Sequence, residues 1–534
     1  MRRPLIVLVA VLSLAVLASC ASAPTGRSGG TSCATSDQPQ LTGARVLSVT
    51  AAAHPGGTYA FPANPPNPTP SPIAGVPAYC DVTVLLAHPE LDDRVRVEVW
   101  MPLTGWNGRF LAAGGGGFVA GLFDRYLAPA VKDGYAAAST DAGVSTNGSR
   151  PPSWALDHSG NVNQGLLTNF AFRSVHEMAQ VGKQLTASFY GRPAAHSYWN
   201  GCSTGGRQGL MEAQRYPADF NGILAAAPAI NWDRFTVAEF WPQAVMNQAH
   251  TFPTACEFNA FTQAAIAACD RDDSVADRVI DRPENCRFNP HQLVGTTVTC
   301  EGKTVQISQA DAELVDKIWQ GPTSHEGQHL WYGPLKGTPL DGLAATAAGP
   351  DGTRHGAPFA VAADWIKYFL KRRPGFDTSS IGYGEFEQLF QQSGTQYHAV
   401  IGTDNPDLSA FRDAGGKMIT WHGLADRLIS PQGTIDYRRR VEAAMGGTGA
   451  TDQFYRVFLA PGVDHCSGGT GSVPTDPLAA VVDWVEHGHA PETLPAATTS
   501  TAGRPVTRNL CSYPQLSHYI GHGDPDSAGS YTCA

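Results

Sequence analysis

The stretch "YWNGCSTGGRQGLMEAQ", residues 198–214, contains the pattern Gly-x-Ser-x-Gly and decides the fold prediction. Its serine, Ser203, follows the strand-like "HSYWNG" and precedes a helical pattern that Pro217 ends. The glycines allow a sharp turn between strand and helix, which is the setting of a nucleophile elbow. A glycine-rich turn with a solvated serine could carry the same short pattern. The position between strand and helix favours Ser203 as a nucleophile.

The segments around this turn alternate between strand-like and helical patterns. Residues 94–102, "RVRVEVWMP", alternate apolar and polar side chains, and 222–229, "GILAAAPA", form an apolar run. Between them, residues 170–191 have helical periodicity and end at a glycine. Strands that alternate with helices predict a parallel, doubly wound α/β sheet.

A long insertion interrupts this alternation. From about residue 231 to 405 the chain is rich in Gly, Pro, Asp and aromatic residues, and the buried-strand pattern returns at 415–431. We therefore predict a catalytic domain built from residues 33–230 and 406–534. The segment 231–405 is predicted to be an inserted lid domain.

The N-terminus has the pattern of an export signal. Arg2 and Arg3 precede an apolar run and then "LASC", which ends at Cys20. The pattern favours a bacterial lipoprotein signal, residues 1–20, with Cys20 lipidated and 21–32 as a flexible spacer. The alternative is an ordinary secretory signal that is cut near residues 21–23.

Composition agrees with an exported protein. The 534 residues include 11 cysteines, so that an even number remains after Cys20 and five disulfides are expected. Charged residues make up 16% of the chain, the net charge is −10, and no run of more than three basic residues occurs, which argues against a nucleic-acid partner. An extracellular hydrolase or a cell-surface binding protein fits these features.

A base and an acid for Ser203 are found late in the chain. Asp426 and His465 each follow a predicted buried strand, and they stand in the order Ser, Asp, His that an elbow of this kind uses. His422 is the main rival histidine and could instead support the site. Asp464 is a rival acid, but a neighbour in sequence is poorly placed to reach Nδ1 of His465.

Two cysteines flank the proposed nucleophile and base. Cys202 precedes Ser203 and Cys466 follows His465, so a bond between them would hold both side chains within reach of each other. Each cysteine could instead pair elsewhere or be free, but the matched adjacency favours the bond. The other candidate pairs are Cys33–Cys80, Cys269–Cys286, Cys511–Cys533 and, by elimination only, Cys256–Cys300.

With these elements the sequence resembles the tannase/feruloyl esterase family of α/β-hydrolases, which includes a hydrolase of mono(2-hydroxyethyl) terephthalate. The resemblance runs from "VPAYCDVTV" to the C-terminal cysteines and rests on "WNGRFLAAGGGGFVAG", "GCSTGGRQGL", "HGLADRLISP" and "DHCSGG". It implies an α/β-hydrolase fold with a lid, a triad of Ser203, Asp426 and His465, and the Cys202–Cys466 bond. The implied activity is hydrolysis of feruloyl, galloyl or terephthalate-monoester substrates. The alternative is a non-catalytic cell-surface binding protein on the same fold.

An esterase of this type needs two N–H donors for the oxyanion. The elbow supplies one from Thr204, the residue after the nucleophile. The second is expected from the four-glycine loop 114–117, where Gly116 is favoured.

An acidic stretch, residues 269–286, could hold a metal ion. It lacks the glycine and glutamate of an EF-hand, and a solvated acidic loop is the alternative. The resemblance nevertheless implies a structural Ca²⁺ site here, with carboxylate and backbone carbonyl ligands. Carried over by position, these ligands are Asp270, Asp273, Val275, Asp277 and Val279.

Substrate specificity is expected to lie in the inserted lid. Its candidate residues are Trp331, Tyr332, Trp365, Phe369 and the basic run 371–374. An arginine of that run could bind a substrate carboxylate, but a solvated helix end is the favoured interpretation.

Overall fold

The fold is a computed structural model that describes residues 33, 38–63, 69–144, 152–300 and 302–534. The predicted signal and spacer, residues 1–32, and the lipidation site Cys20 lie outside the described residues. Within the part of the chain that is described, none of the helices has the length and apolar character needed to cross a bilayer.

A nine-stranded sheet lies at the centre of the protein. In chain order its strands are β1 (Arg45–His54), β2 (Tyr79–Ala87), β3 (Val95–Pro102), β4 (Arg109–Ala113), β5 (Ala136–Thr140), β6 (His196–Cys202), β7 (Gly222–Ala226), β8 (Lys417–Gly423) and β9 (Tyr455–Ala460). Across the sheet the order is β1-β2-β3-β5-β4-β6-β7-β8-β9. The neighbours from β5 to β9 are parallel, whereas β1, β2 and β3 form an antiparallel edge. The predicted doubly wound α/β sheet is confirmed, with an antiparallel edge that was not predicted.

Helices cover both faces of this sheet. In chain order they are α1 (Asp124–Lys132), α2 (Gln164–Thr168), α3 (Ser174–Tyr190), α4 (Thr204–Arg215), α5 (Trp232–Ala238), α6 (Trp241–Ala249), α7 (Ala255–Cys269), α8 (Gln309–Gln320), α9 (Ala360–Asp364), α10 (Tyr383–Ile401), α11 (Ser409–Asp413), α12 (Pro431–Met445), α13 (Thr448–Thr451) and α14 (Pro477–His487). One apolar core joins α3, α4 and α12 to the sheet, and a second joins α1 and α14. Because both faces are covered, central strands such as β5 and β7 are buried along their whole length.

The sheet skips the segment between β7 and β8. This segment contains α5 to α11 and contributes no strand to the nine-stranded sheet among the described residues. Its aromatic side chains share a core with the rest of the chain, since Trp232 and Phe369 pack around Phe118 and Phe170. The inserted segment is therefore packed onto the catalytic part rather than separate from it.

Short elements connect these layers. Smaller sheets pair Gly57–Tyr59 with Ile73–Val76, Thr297–Cys300 with Lys303–Gln306, Thr346–Ala348 with Arg354–Gly356, Val473–Pro474 with Thr493–Thr499 and Pro505–Cys511, and Ser517–Tyr519 with Tyr531–Cys533. The 3-10 turns are Ser153–Ala155, Pro283–Asn285, Pro290–Leu293, Leu340–Gly342, Thr378–Ser380 and Ala528–Ser530, and π-helical turns occur at Asn169–Arg173 and Trp365–Leu370.

Five disulfides cross-link the described chain. The pairs are those assigned from the sequence, namely Cys33–Cys80, Cys202–Cys466, Cys256–Cys300, Cys269–Cys286 and Cys511–Cys533. The Cys202–Cys466 bond has the largest sequence separation, 264 residues, and joins the end of β6 to the loop after β9.

Candidate active site

Ser203 lies at a tight turn between β6 and α4. Its φ of 62° is in the left-handed region, which costs a non-glycine residue energy and is found where the surroundings enforce it. Its N–H donates to the carbonyl of Ala226 (3.1 Å), and the Gly205 N–H donates to the carbonyl of Gly115 (3.1 Å). A Cβ on Gly201 would lie 2.5 Å from the backbone of Gly205, so glycine is required before the turn. The geometry is that of a nucleophile elbow.

Asp426 follows β8 and is almost fully buried, with 2% of its surface exposed. One carboxylate oxygen accepts the backbone N–H groups of Leu428 and Ile429, each at 2.9 Å. The other lies 3.0 Å from Nε2 of His422 and 2.8 Å from Nδ1 of His465. Burial alone would raise the pKa of Asp426, but the two histidines outweigh it and hold the pKa well below its usual range. Asp426 is therefore ionised.

His465 lies in the loop after β9, with 16% of its side chain exposed. Burial by itself would lower its pKa, but the negative charge of Asp426 outweighs this effect and raises the pKa. An ionised carboxylate can only accept hydrogen bonds, so Nδ1 carries the proton that bonds to Asp426. Nε2 of the neutral imidazole is then left with its lone pair, as a general base requires.

The two rival residues have other contacts. His422 is fully buried, and its ring donates from Nε2 to Asp426 and accepts at Nδ1 from the hydroxyl of Thr434 (2.8 Å). The Asp464 side chain accepts from the guanidinium of Arg427 (2.6 Å) and from the backbone N–H of His465 (2.8 Å). His422 therefore supports Asp426, and Asp464 holds the loop that carries His465.

Ser203 and His465 line the same cavity. The adjacent Cys202 and Cys466 are bonded to each other, with 6.0 Å between their Cα atoms. Among the described residues no hydrogen bond joins Ser203 to the imidazole, and catalytic bonds are often long until substrate is bound. The Cys202–Cys466 disulfide thus links the two turns that carry the proposed nucleophile and base.

The backbone near Ser203 offers N–H groups for an oxyanion. The N–H of Thr204 has no acceptor in the described part of the chain. The N–H of Gly116, however, donates to the carbonyl of Val119 (3.1 Å), so it is already occupied. The structure contradicts the prediction of Gly116 for this reason. The neighbouring Gly117 has an N–H without an acceptor among described residues, and its carbonyl accepts from the Thr204 hydroxyl (2.8 Å).

Gln208 holds the glycine loop against the elbow and was missed in the sequence. It is fully buried on α4, where its side chain accepts from the N–H of Gly115 (3.0 Å) and donates to the carbonyl of Ala120 (3.0 Å). A polar residue on the buried face of the helix that follows Ser203 is the feature of the sequence that could have identified Gln208. Both ends of the loop are therefore fixed relative to the nucleophile.

The cavity above the elbow has a volume of about 1000 Å³. Its wall includes Trp232 and Phe235 of α5, and Phe359 and Val361 from further along the inserted segment. The predicted specificity residues are elsewhere. Trp331 and Tyr332 line a separate small pocket, Trp365 and Phe369 belong to the apolar core, and the run 371–374 lies outside the cavity, with both of its arginines exposed.

The acidic loop 270–281 brings carboxylates together near the surface. Burial and the neighbouring Asp273 and Asp270 raise the pKa of Asp277, and burial and Asp273 raise the pKa of Asp281 to about 8. Arg508 bonds to Asp277 at 2.9 Å. No three carboxylates of this loop converge within 4.8 Å. Crowded hard oxygen donors are nevertheless the kind of ligand that Ca²⁺ prefers. Asp281 was missed in the sequence, although it continues the spacing of the other acids.

The carbonyl groups of this loop agree with the same ligand chemistry. Val275 and Val279 are buried, with 5% and 7% of their surfaces exposed. Their carbonyl oxygens accept no hydrogen bond within the described chain, while both N–H groups donate to Asp273 and Asp277 respectively. The residues present therefore fit a calcium ion.

A different group, His176, Glu212 and Asp219, does place three potential ligand atoms within 4.8 Å of one another. Lys183 already lies beside Asp219, with its ammonium 2.6 Å from the backbone carbonyl and 3.5 Å from the carboxylate. Because this lysine supplies the positive charge, we assign no metal to the group.

Comparisons with known proteins agree with this geometry. The family model "Tannase and feruloyl esterase" matches residues 80–534. A probable feruloyl esterase from Arthroderma benhamiae is 46% identical over 532 residues, covering 99% of this chain and 98% of the relative. The mono(2-hydroxyethyl) terephthalate hydrolase of Piscinibacter sakaiensis is 30% identical, covering 88% of this chain and 86% of that protein. Among solved structures, the tannin acyl hydrolase from Aspergillus niger superposes with a TM-score of 0.83 at 25% identity, covering 92% of both chains. Feruloyl esterase B from Aspergillus oryzae superposes with a TM-score of 0.77 at 28% identity, covering 93% of this chain and 97% of that one.

Proposed function

The chain belongs to the tannase and feruloyl esterase family, and on this basis we propose that it hydrolyses esters of aromatic acids with Ser203 as the nucleophile. That it is a carboxylic ester hydrolase follows from the family and from the 46% identical relative. The observation that carries the serine mechanism is the 2.8 Å bond between His465 Nδ1 and Asp426, beside a serine at a strained elbow. A non-catalytic binding protein would not need this arrangement.

In the proposed acylation step, Nε2 of His465 takes the hydroxyl proton of Ser203 as Oγ attacks the ester carbonyl. Asp426 stabilises the resulting imidazolium, with which it shares a hydrogen bond. The imidazolium then gives its proton to the departing alcohol oxygen, which leaves an acyl-enzyme. Water attacks the acyl-enzyme with His465 as base again, and the free acid is released.

The negative oxygen of each tetrahedral intermediate needs N–H donors. We assign these to the backbone of Thr204 and Gly117. The support for this pair is that neither N–H has an acceptor among described residues and that the Thr204 hydroxyl bonds to the Gly117 carbonyl at 2.8 Å. Loss of one such donor typically costs about 10²–10³-fold in kcat.

The proposed substrates carry an aromatic ring in the acid part. Support comes from the aromatic wall of the cavity, which includes Trp232, Phe235 and Phe359. The names of similar proteins, a probable feruloyl esterase and a tannin acyl hydrolase, point to feruloyl and galloyl esters. The terephthalate monoester is the third candidate, from the name of the Piscinibacter sakaiensis relative.

The test is a set of esters given to the wild type and to Ser203→Ala. Methyl ferulate, methyl gallate and the terephthalate monoester cover the three acid types, and methyl butyrate serves as an ester without a ring. We expect the wild type to favour the aromatic esters and Ser203→Ala to lose about 10⁶-fold in kcat while its melting temperature is kept. Residual activity of a few per cent in a folded alanine variant would place the nucleophile elsewhere.

We further propose that the protein is exported. Five disulfides favour an oxidising compartment. The relative from Arthroderma benhamiae, a fungus, covers 99% of this chain and weighs against the bacterial lipid anchor at Cys20. A secretory signal cut near residues 21–23 is therefore the better supported form of this proposal.

A structural calcium ion is also proposed. Asp270, Asp273 and Asp277 would supply carboxylates, and Val275 and Val279 would supply carbonyls. Calcium would neutralise the crowded acids of this loop and stabilise its fold. No step of the proposed ester hydrolysis uses this ion.

A further inference from the structure

A carboxyl group of the inserted segment lies in the wall of the active-site cavity. Glu239 follows α5 and has only 5% of its surface exposed. It lines the same cavity as Ser203 and His465. Among the described residues its buried Oε2 has no hydrogen-bond partner. The proposed ester hydrolysis gives this group no role.

The environment of Glu239 favours its neutral form. Burial and the negative charge of Asp426 raise its pKa well above the ordinary value of a glutamic acid. Two arginines, Arg96 and Arg125, are the cations among the described residues that line the cavity. Arg96 is paired with Glu98 and Arg125 is exposed on α1, and no ion pair joins either of them to Glu239 among the described residues.

Neighbouring aromatic residues give this part of the cavity the shape of a ring-binding site. Phe235 and Trp232 of α5, one and two turns before Glu239, line the same cavity with their rings 5.8 Å apart in an edge-to-face arrangement. Apolar walls with a few well-placed polar groups are typical of small-molecule sites, where the polar groups fix orientation. Glu239 is such a polar group, because it lines the cavity and its Oε2 has no partner among the described residues.

We propose that Glu239 is a specificity-determining residue that forms a hydrogen bond, as a neutral carboxylic acid, with a hydroxyl group on the aromatic ring of the substrate. This inference rests on the proposed function and names a substrate class within it. A carboxylic acid suits a phenolic hydroxyl, because its carbonyl oxygen accepts the phenol proton and its O–H donates to the phenol oxygen.

The same site disfavours a ring that carries a carboxylate. Bound beside Glu239, such a group would add a negative charge near Asp426, and of the two cavity arginines Arg96 is already paired with Glu98 while Arg125 is exposed to solvent on α1. Hydroxylated acids are therefore preferred over terephthalate, unlike the substrate that the Piscinibacter sakaiensis relative is named for. In the wild type we expect kcat/KM for methyl 4-hydroxybenzoate to exceed that for monomethyl terephthalate by at least about tenfold.

Two variants of Glu239 test the hydrogen bond directly. Glu239→Gln keeps a neutral donor and acceptor, whereas Glu239→Met has similar length but offers no donor and only a weak sulfur acceptor. The readout is the ratio of kcat/KM for methyl 4-hydroxycinnamate to that for methyl cinnamate, which lacks the hydroxyl. We expect Glu239→Met to lower this ratio by about tenfold and Glu239→Gln to stay within about threefold of the wild type.

Glu212 provides a matched control. It is also a fully buried glutamate, 1% exposed, but it lies outside the residues that line the cavity. Glu212→Gln should leave the substrate ratio where the wild type has it, even if the protein is less stable. A shift of the same size in this control would mean that any buried-acid change alters the ratio.

The outcomes separate this inference from the function on which it rests. If the wild type hydrolyses none of the aromatic esters, the proposed function fails and the inference fails with it; if it accepts only benzoate-type esters, the ratio is measured for methyl 4-hydroxybenzoate against methyl benzoate. If it hydrolyses both esters of the pair through Ser203 but the ratio is the same in Glu239→Met, only the inference is overturned. If Glu239→Met does not fold, an equal or higher kcat/KM of the wild type for monomethyl terephthalate than for methyl 4-hydroxybenzoate overturns it.

Discussion

The disulfide beside the active site is expected to matter for both stability and rate. Replacing Cys202 and Cys466 together by serine removes a cross-link between residues 264 apart in sequence. In the chain-entropy model this bond stabilises the fold by about 5.5 kcal/mol. The C-terminal bond between Cys511 and Cys533 spans 22 residues and is worth about 3.5 kcal/mol in the same model. Removal of the active-site disulfide should therefore lower the melting temperature more than removal of the C-terminal one.

The effect on rate has a different origin. With the bond intact, the Cα atoms of the two cysteines are 6.0 Å apart, and the proposed nucleophile and base are their immediate neighbours. A displacement of 1 Å between reacting groups can cost about 10²-fold in rate. We expect the double serine variant to lose about 10²-fold in kcat at temperatures where it is folded. The C-terminal double variant should lose little, because that bond is remote from the cavity.

The assay compares both double variants with the wild type in ester turnover well below their melting temperatures. Circular dichroism measured at the assay temperature shows that each variant is folded. Non-reducing peptide mapping of the wild type tests the pairing itself, and a free thiol at Cys202 would refute it. Wild-type turnover by the folded Cys202→Ser/Cys466→Ser variant would refute the idea that the bond sets the geometry.

Three further predictions follow from the same contacts. Asp426→Asn should lower kcat by about 10⁴-fold. The active form of His465 is neutral and Asp426 raises its pKa, so wild-type kcat/KM should fall as the pH drops through a value above about 6.5. In Asp426→Asn this fall in kcat/KM should occur at lower pH, because the negative charge that raises the pKa is gone. His422→Leu should lower kcat about tenfold with KM nearly unchanged, since it removes one of the four hydrogen bonds to Asp426; a change in KM alone would contradict this role. Excess EGTA should lower the melting temperature and leave kcat at low temperature nearly unchanged. A melting temperature that neither EGTA nor added Ca²⁺ changes would count against the calcium site.

The sequence was sufficient for those parts of the fold that rest on local pattern. The central strands are apolar runs bounded by turns, and β6, Ser203 and α4 form one continuous strand–turn–helix signal. The antiparallel edge of β1 to β3 was not predicted, because the direction of pairing between strands is a tertiary property. The alternation of apolar and polar residues in β3 indicates a strand, but it does not indicate which strands pair with β3 or in which direction.

Contacts between distant segments could not be predicted in the same way. Gly116 was chosen for its place in a glycine run, but its N–H is taken by Val119 through a backbone bridge that only the folded loop reveals. Likewise, Glu239 belongs to no motif, and its isolation depends on which side chains surround it after the inserted segment has packed. The predicted lid aromatics Trp365 and Phe369 are core residues, because they are buried where the inserted segment packs against the rest of the chain.

Two buried carboxyl groups near one cavity have opposite pKa shifts, and their hydrogen bonds explain why. Within the described part of the chain, Asp426 accepts four hydrogen bonds and stays ionised, whereas Oε2 of Glu239 has no partner and burial favours its neutral form. If Glu239 is neutral, replacing it by glutamine removes no charge from the surroundings of His465. The acid limb of kcat/KM in Glu239→Gln should therefore lie at the wild-type pH. An ionised Glu239 would instead help to hold the proton on His465, and its replacement would move the limb to lower pH. Such a shift, measured on methyl cinnamate so that no ring hydroxyl is involved, would show that Glu239 is charged in the free enzyme and that its proposed bond to a phenol has the wrong protonation state.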